Sequence, residues 1–168
     1  MQKLDIREEI ENLPRQALKK KKAYQKTILQ LRRSKPIDTD ELFHTQHEQV
    51  FSEIDCLQCG NCCKTTPPLL LNEDINRISR ALNIPVKKIM AEYVVKDEDG
   101  DLVFNRTPCP FLGADNYCSI YEIRPNACRE YPHTNRKKMH QILDLTLKNA
   151  EICPAVSRIL DTIGASLD

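Results

Sequence analysis

The chain has 168 residues, a formal net charge of +1, 40% hydrophobic and 5% aromatic residues, no Trp and eight cysteines. This length supports one domain, or one domain with an arm, and the near-neutral balance excludes a nucleic-acid sponge and a disordered acidic chain. With so few aromatic residues to fill a core, cross-linking by metal gains weight as a source of stability.

Residues 4 to 33 read as helix, with Leu4, Ile10, Leu13, Ala17, Tyr24, Ile28 and Leu31 at loosely helical spacings and Pro14 expected to break or restart it. Lys19-Lys20-Lys21-Lys22 lies on this arm with Lys3, Arg15, Lys26, Arg32 and Arg33. Such a face can grip RNA phosphates or a membrane surface, but a solvated face on a packed helix is the preferred reading. Ser34-Lys35-Pro36 reads as a linker. The expected organisation is a basic helical extension over 1–36 and a cysteine-cluster metal-binding domain over 37–168.

A second helix is expected over 40–54, capped by Asp38 or Thr39, with Leu42, Phe43, Val50, Phe51 and Ile54 as its apolar stripe. His44 and His47 sit one turn apart on it and are expected to face solvent. Pro67-Pro68-Leu69-Leu70-Leu71 reads as extended, followed by a helix that Asn72 caps and Asn83 ends, with Ile75, Ile78 and Leu82 inward. Pro85 opens a helix over 85–93, placing Val86, Ile89, Met90 and Tyr93 on one side. Val94-Val95-Lys96 and Leu102-Val103-Phe104 form a hairpin about the Asp99-Gly100 turn, whose acidic residues lack the remaining ligands of a calcium loop. Two extended pieces around Cys109 and Cys118, a short helix from Pro125 carrying Cys128 and Arg129, a helix over about 136–149 and a last helix from Cys153-Pro154 complete the chain. The fold class is mainly α with a small β-hairpin: an irregular, metal-stapled cysteine-cluster domain with an N-terminal helical arm.

Cys56-Leu57-Gln58-Cys59-Gly60-Asn61-Cys62-Cys63 puts four thiols in one short loop. Packed thiolates repel one another unless a cation neutralises them or oxidation pairs them. The start has no apolar leader segment and no stretch reaches the length needed to span a bilayer, so a cytoplasmic location is expected. Thiols there are kept reduced, which favours metal over disulfides. Gly60 allows a positive φ in the turn, and Cys56, Cys59 and Cys62 can share one site. Cys63 follows Cys62 directly and points elsewhere, toward a second centre or a partner thiol. Three cysteines at this spacing completed by a remote Cys-Pro resemble the way ferredoxins hold a 4Fe-4S cluster, and Cys109-Pro110 and Cys153-Pro154 both qualify as the remote partner. Zinc sites use paired Cys-x-x-Cys knuckles, and only the first half of the chain has them, so iron–sulfur is favoured over zinc. Eight thiols would also suit two tetrahedral centres. Lys64, Arg124 and Arg129 flank the cysteines, free either to compensate thiolate charge or to pair with Glu122 and Glu130; Tyr121, Tyr131 and His133 can line an opening or pack.

The loop together with Cys109-Pro110-Phe111-Leu112, Cys118-Ser119-Ile120-Tyr121, Arg124-Pro125 and Cys128-Arg129-Glu130-Tyr131-Pro132 closely resembles the bacterial cysteine-cluster family described as a zinc- or iron-chelating domain, also called YkgJ-like. The resemblance covers residues 54 to about 154. It implies that Cys56, Cys59, Cys62, Cys63, Cys109, Cys118 and Cys128 are metal ligands, with Cys153 corresponding less closely. Flagellin lysine-N-methylase, a longer protein, is similar in the cysteine motif and is associated with an iron–sulfur cluster. The expected function is metal binding in an accessory or maturation factor. The alternatives are an iron–sulfur-dependent modifying enzyme, by methyl transfer or redox chemistry, and a zinc-stabilised RNA- or protein-binding module. No Gly-rich nucleotide loop or nucleophile elbow names a reaction. The N-terminal arm is expected to dock on a protein through its apolar stripe, with RNA at Lys19 to Lys22 as the other possibility.

Overall fold

A computed structural model describes residues 7–167, so Leu4 and the expected first turn lie outside it. The chain divides into two compact units, Met1–Cys59 with Pro132–Asp168, and Gly60–Tyr131.

The first unit is helical. Helix α1 (Arg7–Arg33) runs without interruption through Pro14, which corrects the expected break. Pro14 removes the N–H that would reach Ile10, a defect of about 3 kcal/mol in an isolated helix. Packing overrides it here, because Leu13 and Ala17 on either side are buried and Glu9 is held by Arg158. The helix packs against α9 (Pro154–Leu167), as does α2 (Pro36–Glu53). Tyr24, Ile28, Leu31, Phe43 and Val50 meet Val156, Ile159, Leu160 and Ile163 in one core. Each such fully buried large side chain contributes about 1.5–3 kcal/mol. The apolar stripe of the arm is therefore covered by this chain's own last helix. The approach of α1 to α9 is close enough that a Cβ at Gly164 would lie 2.8 Å from the Thr27 hydroxyl.

Two further expectations change in this unit. Helix α2 starts four residues earlier than read, with Pro36 as its first residue, where a missing N–H costs nothing. Neither proposed cap serves: Thr39 is fully buried with its hydroxyl on the Lys35 carbonyl, inside the helix. The predicted helix over 136–149 is shorter, a 3-10 turn at Met139–Gln141 followed by α8 (Leu143–Asn149). Asp40 is the cause, since its carboxylate accepts the N–H groups of Lys138 (2.8 Å) and Met139 (2.7 Å), fixing Lys138 at φ 62° and seating Met139 in the core.

The second unit begins with α4 (Asn61–Thr65), which follows the single turn α3 (Cys56–Cys59) of the first. Leu69 bridges Val103, and the Leu70 N–H donates to the Leu102 carbonyl, so the Pro-Pro segment is extended as expected. Helix α5 (Asn72–Leu82) buries Ile75 and Ile78 and ends at Asn83 with φ 54°. Helix α6 (Val86–Tyr93) buries Ile89, while Val86 turns outward at 39% exposure, unlike the reading that put it on the inner side. Strands β1 (Val94–Lys96) and β2 (Leu102–Phe104) pair antiparallel with Val95 opposite Val103. Their turn is closed by Gly100 N–H on the Asp97 carbonyl at 3.1 Å. The core is small: Leu70, Ile75, Ile78, Ile89, Val94, Phe104, Phe111 and Ile120. A 3-10 turn at Tyr121–Ile123 leads to α7 (Asn126–Glu130). Among the described residues no helix is long and apolar enough to cross a membrane.

Candidate metal centre

Asp55 sets up the first Cys-x-x-Cys. Its carbonyl accepts the Gln58 and Cys59 N–H groups at 3.1 and 3.0 Å, and its carboxylate accepts Leu57 N–H at 3.0 Å, which closes one helical turn with Cys56 and Cys59 at its ends. Gly60 takes φ 57°, as the sequence predicts, and a Cβ there would sit 3.2 Å from the Asn116 Cβ. Both the conformation and the crowding call for glycine.

In the first unit, Cys59 belongs to the main core and Cys153 packs against it. Cys153 stands at the N-terminus of α9, where Ala155 and Val156 turn their N–H groups to its sulfur. Burial nevertheless pushes its thiol up to about 12, and the nearby thiols of Cys56 and Cys59 add to that. Three cysteines, one of them Cys-Pro, thus share a neighbourhood.

In the second unit, the Cys109 N–H donates to the Cys63 carbonyl at 2.8 Å. A tight turn with Leu112 N–H on the Cys109 carbonyl (3.0 Å) brings the Phe111 and Leu112 amides to the Cys109 sulfur. Leu112 bridges Cys118, whose sulfur receives the Ile120 N–H. Cys128 rides on α7 with its N–H on the Pro125 carbonyl at 3.0 Å. Each distal thiol is raised, by burial first: Cys109 to about 11, Cys118 upward, and Cys128 to about 12. Cys128 also feels the charges of Cys63, Cys109 and Cys118, and the Arg124 guanidinium opposes them. Cys63 goes the other way, to about 7, because a hydrogen bond from Cys62 outweighs its burial and Lys64 adds a positive charge.

Among the described residues no three His, Cys, Asp or Glu side chains already converge as a ligand set. The donor chemistry still fits a soft cation. Partly buried thiols that resist ionisation alone, set beside one another and supplied with sulfur-directed amides, become thiolates readily once a cation stands among them.

The guanidiniums beside the cysteines bind carbonyls. Arg124 lies over the Tyr121 ring at 3.8 Å and donates to the Tyr121 carbonyl at 2.6 Å, while Arg129 donates to the carbonyls of Arg124 and Glu122. His44 and His47 are not free on a solvated face: His44 Nε2 meets the Arg136 carbonyl and His47 Nδ1 the Thr134 hydroxyl, each at 2.8 Å. Burial lowers the His47 pKa. His133 belongs to the first unit and has φ 67°.

Asp74 and Arg77 had no place in the reading of the sequence. Asp74 is fully buried and paired with Arg77 at 2.6 Å. The signal was an acid in the first turn of a helix with a base three residues on, a pattern too common to mark a site.

Residues 55–154 match the model of the CxxCxxCC family, described as "Putative zinc- or iron-chelating domain", and the chain belongs to that family. No curated protein and no solved structure matches it.

Proposed function

We propose that the chain is a metal-binding accessory or maturation factor with two thiolate groups. The first, Cys56, Cys59 and Cys153, holds an iron–sulfur cluster in preference to zinc, and the second, Cys63, Cys109, Cys118 and Cys128, holds zinc or iron. Cys62 lies beside Cys63 as its hydrogen-bond donor. The observation that carries the reading is the placement of Cys153-Pro154 within electrostatic reach of the Cys56–Cys59 turn, with helix amides on its sulfur. In ferredoxins a remote Cys-Pro completes a run of three cysteines, and Cys56, Cys59 and Cys153 supply three of the four thiolates such a cluster takes. Four partly buried thiols in the second unit match the donor number of a closed tetrahedral site. Bound iron would supply one-electron chemistry or a transferable cluster; bound zinc would supply folding free energy.

A factor of this kind needs a client. The outward side of α1 offers Leu18 and Leu29, 73% and 54% exposed, beside Lys19 and Lys22. That mixture suits an acidic protein surface better than RNA, and a complex with RNA would instead weaken steeply with salt.

Anaerobic purification with metal analysis and an absorption spectrum tests the metal. A brown protein that bleaches with dithionite is expected. A colourless protein with stoichiometric zinc replaces iron–sulfur by zinc, and a protein with neither metal overturns the reading.

A further inference from the structure

The carboxylate of Asp74 accepts three donors: Leu71 N–H (3.0 Å), the Arg77 guanidinium (2.6 Å) and Asn126 N–H (3.1 Å). The first serves α5 alone. The other two reach beyond it, because Asn126 is the first residue of α7, two positions before Cys128. Arg77, fixed by Asp74, donates Nε to the Ile123 carbonyl at 3.3 Å and Nη2 to the Arg124 carbonyl at 2.8 Å. Arg129 takes the Glu122 carbonyl and shares that of Arg124, and Arg124 takes that of Tyr121. Four consecutive carbonyls, Tyr121 to Arg124, are thus each held by a guanidinium, on the stretch that joins Cys118 to Cys128.

A buried ion pair is a poor device for stability alone, since an apolar pair of equal volume does as well. It is a good device for fixing a backbone. We infer that Asp74 and Arg77 are positioning residues for the metal centre of the second unit: they clamp residues 121–126 and so set the placement of Cys118 and Cys128 before metal arrives. This rests on the reading of those two cysteines as ligands. Outer groups that orient ligands are commonly worth about 10- to 100-fold in metal affinity.

The test uses the full chain loaded with Zn2+ or Co2+. Arg77→Lys keeps the charge beside Asp74 but loses the planar fork to two carbonyls. It should release Zn2+ to a chromophoric chelator about tenfold faster than the parent, well below the melting temperature, and alter the Co2+ ligand-field bands, with circular dichroism unchanged. Asn126→Pro removes the N–H that reaches Asp74, along with the side-chain amide, at a helix position that accepts proline, and should act in the same direction. A lowered melting temperature with parent-like release and parent-like Co2+ bands in both variants would reduce the pair to a structural role and overturn the inference. Cys128→Ser separates the two levels: loss of one metal equivalent supports the ligand reading whatever Arg77→Lys does, whereas parent-like metal content overturns the ligand reading and this inference with it.

Discussion

The two units solve the same problem with opposite means. The first joins long helices over a core that includes Phe43, Leu31, Met139, Leu143 and Ile159, all with essentially no exposed surface. The second has a two-stranded hairpin, helices of at most eleven residues and a core half as populous, yet it holds five of the eight cysteines. The first rests on the larger apolar core, whereas a core as small as the second's ordinarily needs a staple. The proposed ligand set of the second unit would place the family's metal-chelating character where the core is smallest.

The largest test is removal of metal. Thiolate zinc sites contribute on the order of 10 kcal/mol to folding at neutral pH, so chelation should abolish hydrogen-exchange protection over 60–131 while α1, α2 and α9 keep theirs. Equal loss in both regions would erase the contrast. Phe43→Ala should do the converse, lowering the stability of the helical unit in denaturant unfolding by about 3–5 kcal/mol and leaving metal content intact. Gly60→Ala comes next: a side chain at φ 57° costs about 1–2 kcal/mol, and the 3.2 Å approach to Asn116 adds to it. Its signature is weaker metal retention measured by chelator competition.

The smallest effect lies at Tyr24, whose hydroxyl shares a 2.7 Å hydrogen bond with that of Ser157. Tyr24→Phe should cost about 1 kcal/mol. Burial pushes the Tyr24 pKa up to about 12, so the folded chain keeps a proton that the unfolded chain gives up near 10. Its contribution is complete below pH 10 and declines as pH rises toward 12. The difference in stability between parent and Tyr24→Phe should shrink over that window, and a constant difference would contradict the assignment.

Much of the fold was legible because it is local. Period and punctuation located the helix that Asn83 ends, the hairpin with its Asp-Gly turn, and the conformation of Gly60. What escaped was decided by distant partners. Nothing near residue 138 announces that Asp40 will take its N–H, and nothing near Pro14 announces that Arg158 and α9 will hold the helix together across it. At the site, the cysteines were visible as a set, but not their distribution. That depends on which core each joins: Cys59 and Cys153 go with one, Cys109 and Cys118 with the other. The Asp74 clamp was hidden for the same reason, since its partners lie about fifty residues away.

The second unit is written into the middle of the first, leaving it after Cys59 and rejoining it at Pro132. A ribosome therefore completes the thiol-rich unit before it makes α9, the element on which α1 and α2 close. At about 5–20 residues per second, about 1–7 seconds separate the two events. During that interval Ile28, Leu31 and Phe43 have no cover, while residues 60–131 already contain all five of their cysteines. Metal loading can thus precede closure of the helical unit, and without metal both halves of the nascent chain stay open until α9 is made.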